Sequence, residues 1–265
     1  ALEGILARFD VAGCLSISDA WPRGGEQWTF VTRLGAVVRH LSETIGAIKL
    51  TSGSTGLPRG VVVSSAALVA DEAQLAASMG LTAEDRHIGA IPFSHSYGFS
   101  SVVLPALIRG SLAIVPDERA VMAPLGAARD LAATFFPAVP AWLSCWARLA
   151  SPPPLPPSVR LLTSAGAPLS PETARAIRER FGHPVQVFYG ASECGGIAFD
   201  REGTAAERGT VGTPVEGVTI ELDAETGRLR VKSAAVAEGY LPQPAAELAA
   251  GSFVTGDLAA WDEER

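Results

Sequence analysis

Thr51–Gly60 reads TSGSTGLPRG, and it stands between two short apolar runs, AIKL at 47–50 and VVVSS at 61–65. The spacing predicts strand, turn, strand. A strand that runs into hydroxyls and glycines offers side-chain O–H groups and successive backbone N–H groups to phosphate oxygens, and glycine lets the backbone approach closely. The string is not a Walker A loop. That motif needs GxxxxGK[ST], whereas here Gly53 is followed by Gly56, and the next basic residue, Arg59, precedes Gly60. A serine-rich turn by itself is more often structural than functional, but the full ten-residue string is far more specific.

Working outward, residues 65–80 predict a helix with Ser64 or Ser65 as N-cap and Gly80 as C-cap. HIGAIPF at 87–93 reads as a strand, Gly98–Arg109 as a helix and SLAIVP at 111–116 as a buried strand. Further on, 124–133 reads as helix, TFFPAVP as strand and turn, and 141–149 as helix. SPPPLPPS at 151–158 reads as a stiff surface loop. VRLLTSAG is then a strand, Pro171–Phe181 a helix capped by Ser170 and ended by Gly182, and PVQVFYG a strand. Strands alternating with helices predict an α/β fold, a mostly parallel sheet flanked by helices. From about residue 205 short alternating strands and glycine turns take over, with ETGR as a hairpin turn, which predicts a small antiparallel, barrel-like β subdomain. Residues 1–46 carry weaker signals: a turn-like stretch near Trp21–Thr29 and a helix near 34–45.

The 265 residues fit one large domain or two modest ones. With 48% hydrophobic and 18% charged residues the chain has material for a sizeable core and is not a disordered sequence. A net charge of −7 and a pI near 5.2 argue against a general nucleic-acid binder. Cys14, Cys145 and Cys194 are too few and too scattered for a disulfide framework or a zinc site, so a reducing cytoplasm is the expected location. Lys49 and Lys232 are the two lysines among 21 basic residues, which restricts any role that needs a lysine. The longest apolar region, 98–116, is broken by Pro105, Arg109 and Gly110, so no membrane insertion is expected, and no secretion signal opens the chain. A dehydrogenase of the Rossmann type is disfavoured because no GxGxxG follows a strand.

TSGSTGLPRG closely resembles the phosphate loop [ST][ST]G[ST]TGxPKG of the adenylate-forming superfamily: acyl-CoA synthetases, non-ribosomal peptide adenylation domains and luciferases. Arg59 replaces the lysine. Further motifs follow in the family's order: IPFSHSYGF (91–99), SAGAPL (164–169), FYGASE (188–193), GRLRVKSAAVAEGY (227–240) and VTGDL (254–258). The resemblance covers about residues 47–260. Taken alone, His95 would as soon be structural, SAGAPL an ordinary turn and Glu193 a buried ion-pair member.

The resemblance implies a fold like the acyl-CoA synthetase N-terminal domain. It also implies a site in which Thr51, Ser52, Gly53, Ser54, Thr55, Gly56 and Arg59 face the triphosphate of ATP. Gly166, Ala167 and Pro168 lie against the adenine, Tyr189 stacks on it with Gly190 beside it, and Ser192 meets the α-phosphate. Glu193, together with Thr51, holds Mg2+. His95 sits near the reacting carboxylate, and Asp257 accepts the ribose hydroxyls of ATP or AMP. Tyr97, Phe99 and Gly190–Gly196 line the acyl pocket. The implied reaction activates a small-molecule carboxylate as an acyl-adenylate and passes it to CoA or to the phosphopantetheine of an acyl or peptidyl carrier protein. The expected domains are 1–46, a remnant of an N-terminal subdomain, 47–204, the α/β nucleotide- and acyl-binding part, and 205–265, the β-rich part before the family's hinge. Neither lysine stands where the family's C-terminal domain places its catalytic lysine, so residues 1–265 alone are expected to show little activity. The alternative is a non-catalytic module that holds nucleotide or acyl ligand.

Overall fold

The computed structural model describes residues 44–51, 59–116, 120–242, 246–249 and 251–262, and the strand course alone of 13–17 and 28–32. The helix expected at 34–45 falls mostly outside these residues, and Ile45 opens a strand instead. β1 (Gly13–Ile17) pairs antiparallel with β2 (Trp28–Thr32). β3 (Ile45–Thr51) and β4 (Arg59–Ser64) form an antiparallel hairpin that closes at Thr51 opposite Arg59. The seven residues joining them are too few for a parallel crossover, which needs a dozen or more. The hairpin therefore stands apart from the parallel sheet to which the alternating pattern would have assigned it.

α1 (Ser65–Met79) follows, with the Ser64 side chain accepting from the Ala67 N–H and Gly80 closing it at φ +62°. β5 (Arg86–Ile88) is shorter than the expected 87–93 strand. α2 (Ser96–Gly98) begins two residues before the expected helix and continues into two π-helical turns, Phe99–Val103 and Pro105–Arg109. Such wide turns recur near functional sites. β6 (Leu112–Ile114), expected to be buried, is an edge strand on which Leu112 is exposed. α3 (Ala123–Asp130), β7 (Phe135–Ala138), α4 (Pro140–Arg148) and β8 (Leu161–Ser164) come next. The proline-rich 151–158 segment is not wholly surface, because Leu155 is buried in the core. α5 (Pro171–Phe181) carries the expected caps, Ser170 and Gly182.

β9 (Gln186–Ala191), β10 (Gly195–Phe199), α6 (Ala205–Arg208) and β11 (Thr213–Pro214) complete a seven-stranded sheet in the order β11-β10-β9-β8-β7-β5-β6. β6, β5, β7, β8 and β9 run parallel, and β10 and β11 are antiparallel additions. β12 (Thr219–Leu222), β13 (Arg228–Lys232), β14 (Gly239–Leu241), β15 (Leu248–Ala249) and β16 (Ser252–Leu258) follow. β12, β13, β16 and β15 make an open four-stranded antiparallel sheet with two edges, where a barrel-like closure was expected. β14 leaves that sheet and pairs with β4. Pairing of β10 with β11 and of β4 with β14 crosses the boundary expected at 204/205.

Apolar side chains cover both faces of the large sheet. One cluster joins Leu75 and Met79 of α1 to Phe188, Ile197 and Val231; the other joins Phe136, Leu162 and Ile88 to Trp146 and Ile177 of α4 and α5. A third lies beneath the hairpin around Val61, Val63 and Tyr240. At the amino ends of the parallel strands, Arg160 grips Asp85 through Nε at 3.1 Å and a terminal nitrogen at 2.6 Å. Its bonds to the Gly80 carbonyl at 2.8 Å and the Met79 carbonyl at 3.4 Å tie α1 to that end. Among the described residues no helix is long and apolar enough to cross a membrane.

His87 on β5 is 1% exposed, its Nδ1 lies 2.7 Å from the Ser101 carbonyl, and its ring meets Phe135 edge-on. Burial holds its pKa below 6.5, assisted by Arg160, against the pull of the Ser101 carbonyl and of Asp85 and Glu72. The folded chain thus holds His87 neutral while the unfolded chain protonates it. Its contribution to stability is complete above pH 6.5 and is lost as pH falls from there through the folded pKa. The melting temperature is expected to drop more steeply between pH 7 and pH 5 in the parent than in a His87→Leu variant. Equal slopes would remove His87 as the cause.

Candidate active site

The chain leaves β5 for β6 on one side and returns to β7 on the other. This is a topological switch point, where open α/β sheets place their ligands, beyond the carboxyl ends of the strands. A cleft of about 280 Å³ opens there. Its walls come from the segments after β5 (Ile91, Pro92, His95, Tyr97), after β7 (Val139–Trp142) and after β8 (Ala165, Gly166, Ala167). His95 and the SAGAPL turn, about 70 residues apart in sequence, thus share one cavity.

Local chemistry fixes this wall. His95 caps α2, its Nδ1 accepting from the Tyr97 N–H at 3.2 Å, so the ring is held at the cleft by its own backbone turn. The Tyr97 hydroxyl and Thr163 Oγ1 lie 2.8 Å apart, and burial raises the phenol's pKa. Gly98 admits no side chain: a Cβ there would come within 2.4 Å of the Pro92 carbonyl oxygen.

The remaining expected residues fall into connected groups. Tyr189 donates to Asp257 Oδ2 at 2.5 Å, joining the strand expected to face adenine to the carboxylate expected at the ribose. Burial and Asp257 both raise the Tyr189 pKa. The Ser192 and Ser96 hydroxyls are 2.6 Å apart, which puts Ser192 beside His95's neighbour. The Arg59 guanidinium lies 3.8 Å above the centre of the Tyr240 ring, and the Tyr240 hydroxyl donates to Glu193 Oε1 at 3.0 Å. Thr51 Oγ1 reaches the Arg59 carbonyl at 3.5 Å. Pro168 is exposed beside the cleft. Ser52, Gly53, Ser54, Thr55 and Gly56 lie outside the described residues.

Two placements differ from expectation. Phe99 does not line the cleft; it packs under the hairpin, 5.8 Å from Lys49 Nζ. Gly195 and Gly196 do not make room for an acyl group either. A Cβ on Gly195 would meet Asp71 at 2.1 Å, and one on Gly196 would meet Leu75 at 2.6 Å. Their smallness serves the close approach of α1.

That approach introduces a residue absent from the motifs. Asp71 is 2% exposed; Oδ1 accepts the Gly196 N–H at 3.0 Å and Oδ2 accepts the Ser100 hydroxyl at 2.7 Å. It ties the turn that carries Glu193 to the helical segment that carries His95. A signal was present in the sequence: Asp71 sits on the stripe Leu68, Asp71, Leu75, Ala76, Met79, where an acid among apolar residues is out of place. Lys49 is also buried, and burial lowers its pKa against the pull of Asp71, Cys194 and Glu193.

Among the described residues no group of three or more His, Cys, Asp or Glu gathers as a protein-only metal site. The donor types present suit a magnesium ion that arrives on phosphates: the Glu193 carboxylate, with one oxygen engaged by Tyr240, and the Thr51 hydroxyl where the hairpin closes. A larger cavity, about 730 Å³, lies between β10–β11 and the four-stranded sheet and includes none of the expected site residues.

Comparison with known proteins agrees with this arrangement. The AMP-binding enzyme family matches residues 16–241. The chain is 28% identical to a 4-coumarate–CoA ligase of Pinus taeda over 94% of its own length and 52% of the ligase's. It is 30% identical to a 4-hydroxybenzoate–CoA/benzoate–CoA ligase of Rhodopseudomonas palustris, over 79% of this chain and 41% of that one. The o-succinylbenzoate CoA synthetase of Bacillus subtilis, solved with its acyl-adenylate intermediate, superposes with a TM-score of 0.73 at 26% identity, covering 82% of this chain and 47% of that one. The chain spans about half the length of the curated relatives it matches. With the motifs in order, the switch-point cleft formed and the match extending over most of its length, the chain belongs to the AMP-binding enzyme family of the adenylate-forming superfamily.

Proposed function

We propose that the intact protein activates a carboxylic acid with ATP, giving an acyl-adenylate and pyrophosphate, and then transfers the acyl group to a thiol, that of CoA or of a carrier protein's phosphopantetheine. The observation that carries this reading is the convergence of His95, Gly166 and Ala167 on one apolar cleft, with Ser96 bonded to Ser192, the chain neighbour of Glu193, which in turn is linked through Tyr240 to Arg59. In this reading 47–204 supplies the nucleotide and acyl surfaces and 205–265 supplies the ribose carboxylate.

The chain's residues position and neutralise. A carboxylate oxygen attacks the α-phosphorus while the bond to the leaving pyrophosphate breaks. In this reading Arg59, stacked on Tyr240 at the end of the hairpin, offers its guanidinium to phosphate oxygens, and Ser192, hydrogen-bonded to Ser96, meets the α-phosphate. Mg2+, held by Glu193 and Thr51 when bound, would offset charge on the triphosphate. Ile91, Tyr97, Val139 and Trp142 give the cleft apolar walls, which suit an aryl or medium-length acyl group. The relatives named as aryl-acid ligases support the aryl choice.

The test is ATP–pyrophosphate exchange by the intact protein with a panel of aryl and aliphatic acids. Exchange that depends on an aryl acid is expected. Nucleotide binding without exchange for any acid would replace this reading with a non-catalytic binding module. Within the reading, Asp257→Asn removes an acceptor for hydroxyls that are bound alike in ground and transition states. Its loss is expected in KM for ATP, about tenfold, with kcat changed less than threefold. A loss confined to kcat would contradict the ribose assignment.

A further inference from the structure

Glu193 stands in a turn, and a carboxylate in a turn needs something to aim it. The structure supplies that from a distant strand. β14 pairs with β4 so that Tyr240 lies opposite Val61 and Leu241 opposite Gly60. The segment just before β14 ties down both neighbours: the Ala237 N–H donates to the Glu193 carbonyl and the Glu238 N–H to the Val62 carbonyl, each at 2.8 Å. Tyr240 is 7% exposed, so its ring has one orientation, with Arg59 on one face and Glu193 at its hydroxyl.

We infer that Tyr240 is a positioning residue that couples the phosphate hairpin to Glu193: its ring seats the Arg59 guanidinium and its hydroxyl aims the Glu193 carboxylate. The inference rests on the adenylation reading. The phenol engages Oε1, which would leave Oε2 for a cation carried on the phosphates. The same seat accounts for arginine at position 59. A planar guanidinium stacks on a ring and keeps its edge N–H groups for phosphate, whereas an ammonium is a point charge that stacks less well.

The experiment measures binding by titration calorimetry with the intact protein, using AMP without metal and ATP over a range of Mg2+ concentrations. Tyr240→Phe keeps the ring and loses the hydroxyl. It is expected to raise the Mg2+ concentration needed for half-maximal ATP binding about tenfold, the scale of a hydrogen bond to a charged group, and to leave metal-free AMP affinity within twofold. In a Glu193→Gln background the same change is expected to shift the Mg2+ requirement less than twofold. Tyr240→Leu, which also removes the seat of Arg59, is expected to weaken ATP further. An unchanged Mg2+ requirement in Tyr240→Phe, equal losses for AMP and ATP, or additive effects with Glu193→Gln would each overturn the coupling while leaving the function standing. A parent protein that binds neither nucleotide would overturn the adenylation reading and the coupling with it.

Discussion

Glu193→Gln is expected to lower the rate of adenylate formation by about 10²-fold or more, roughly 2.7 kcal/mol of transition-state stabilisation, with KM for ATP changed far less. The glutamine keeps the side chain's shape and still accepts from the Tyr240 hydroxyl, so the turn between β9 and β10 keeps its course. On the proposed function, what disappears is the negative charge that serves the cation on the triphosphate. That charge matters most as charge moves onto the departing pyrophosphate, so the loss belongs to kcat. Steady-state kinetics against ATP, with circular dichroism as a check on folding, decides it. A kcat within about threefold of the parent would show that Glu193 does not serve the metal.

Asp71→Ala is expected to have the largest effect on stability, about 3 kcal/mol, or a fall of about 10 °C in melting temperature for a chain of this size. The carboxylate is buried and accepts from two donors, the Gly196 N–H and the Ser100 hydroxyl. Alanine leaves the N–H unpaired and opens a void between α1 and the Glu193 turn. Asp71→Asn retains an oxygen for Gly196 and an amide that can donate to the Ser100 oxygen, so it is expected to lose less than half as much. Thermal melts of the three proteins test the ordering. If alanine costs no more than asparagine, the two hydrogen bonds are not what holds the turn against α1.

The site was unevenly legible. The motifs were recognisable through their resemblance to a family's, and in IPFSHSYGF the structure shows the local backbone demands behind the pattern: Gly98 at a close approach and His95 capping its own turn. Asp71 was missed because its role is a long-range one, although its place on the apolar stripe of α1 marked it. Tyr240 stood inside a matched motif with no role attached, because nothing in GRLRVKSAAVAEGY says that β14 leaves its own sheet. The glycines at 195 and 196 were assigned to the acyl pocket by the resemblance, and a motif does not reveal which neighbour needs the space beside a glycine. The π-helical turns after Gly98 were read as ordinary helix, because i to i+4 and i to i+5 bonding share nearly the same apolar spacing.

By itself the sequence determined the element types along most of the described chain, the caps at Gly80, Ser170 and Gly182, the choice of Ser64 or Ser65 for the fourth, the α/β class and the family. Each of these depends on chemistry within about ten residues: propensity, periodicity, hydroxyl caps and left-handed glycines. Only the tertiary structure decided that the phosphate hairpin forms its own antiparallel sheet with β14 and that the cleft opens at the β5–β7 switch point. It alone decided that Glu193 accepts from Tyr240, 47 residues away, and that Asp71 accepts from Gly196 across 125 residues. Those pairings follow from strand order and from which buried polar group finds a partner when the layers close. That is a property of the packed molecule, and no short stretch of the chain encodes it.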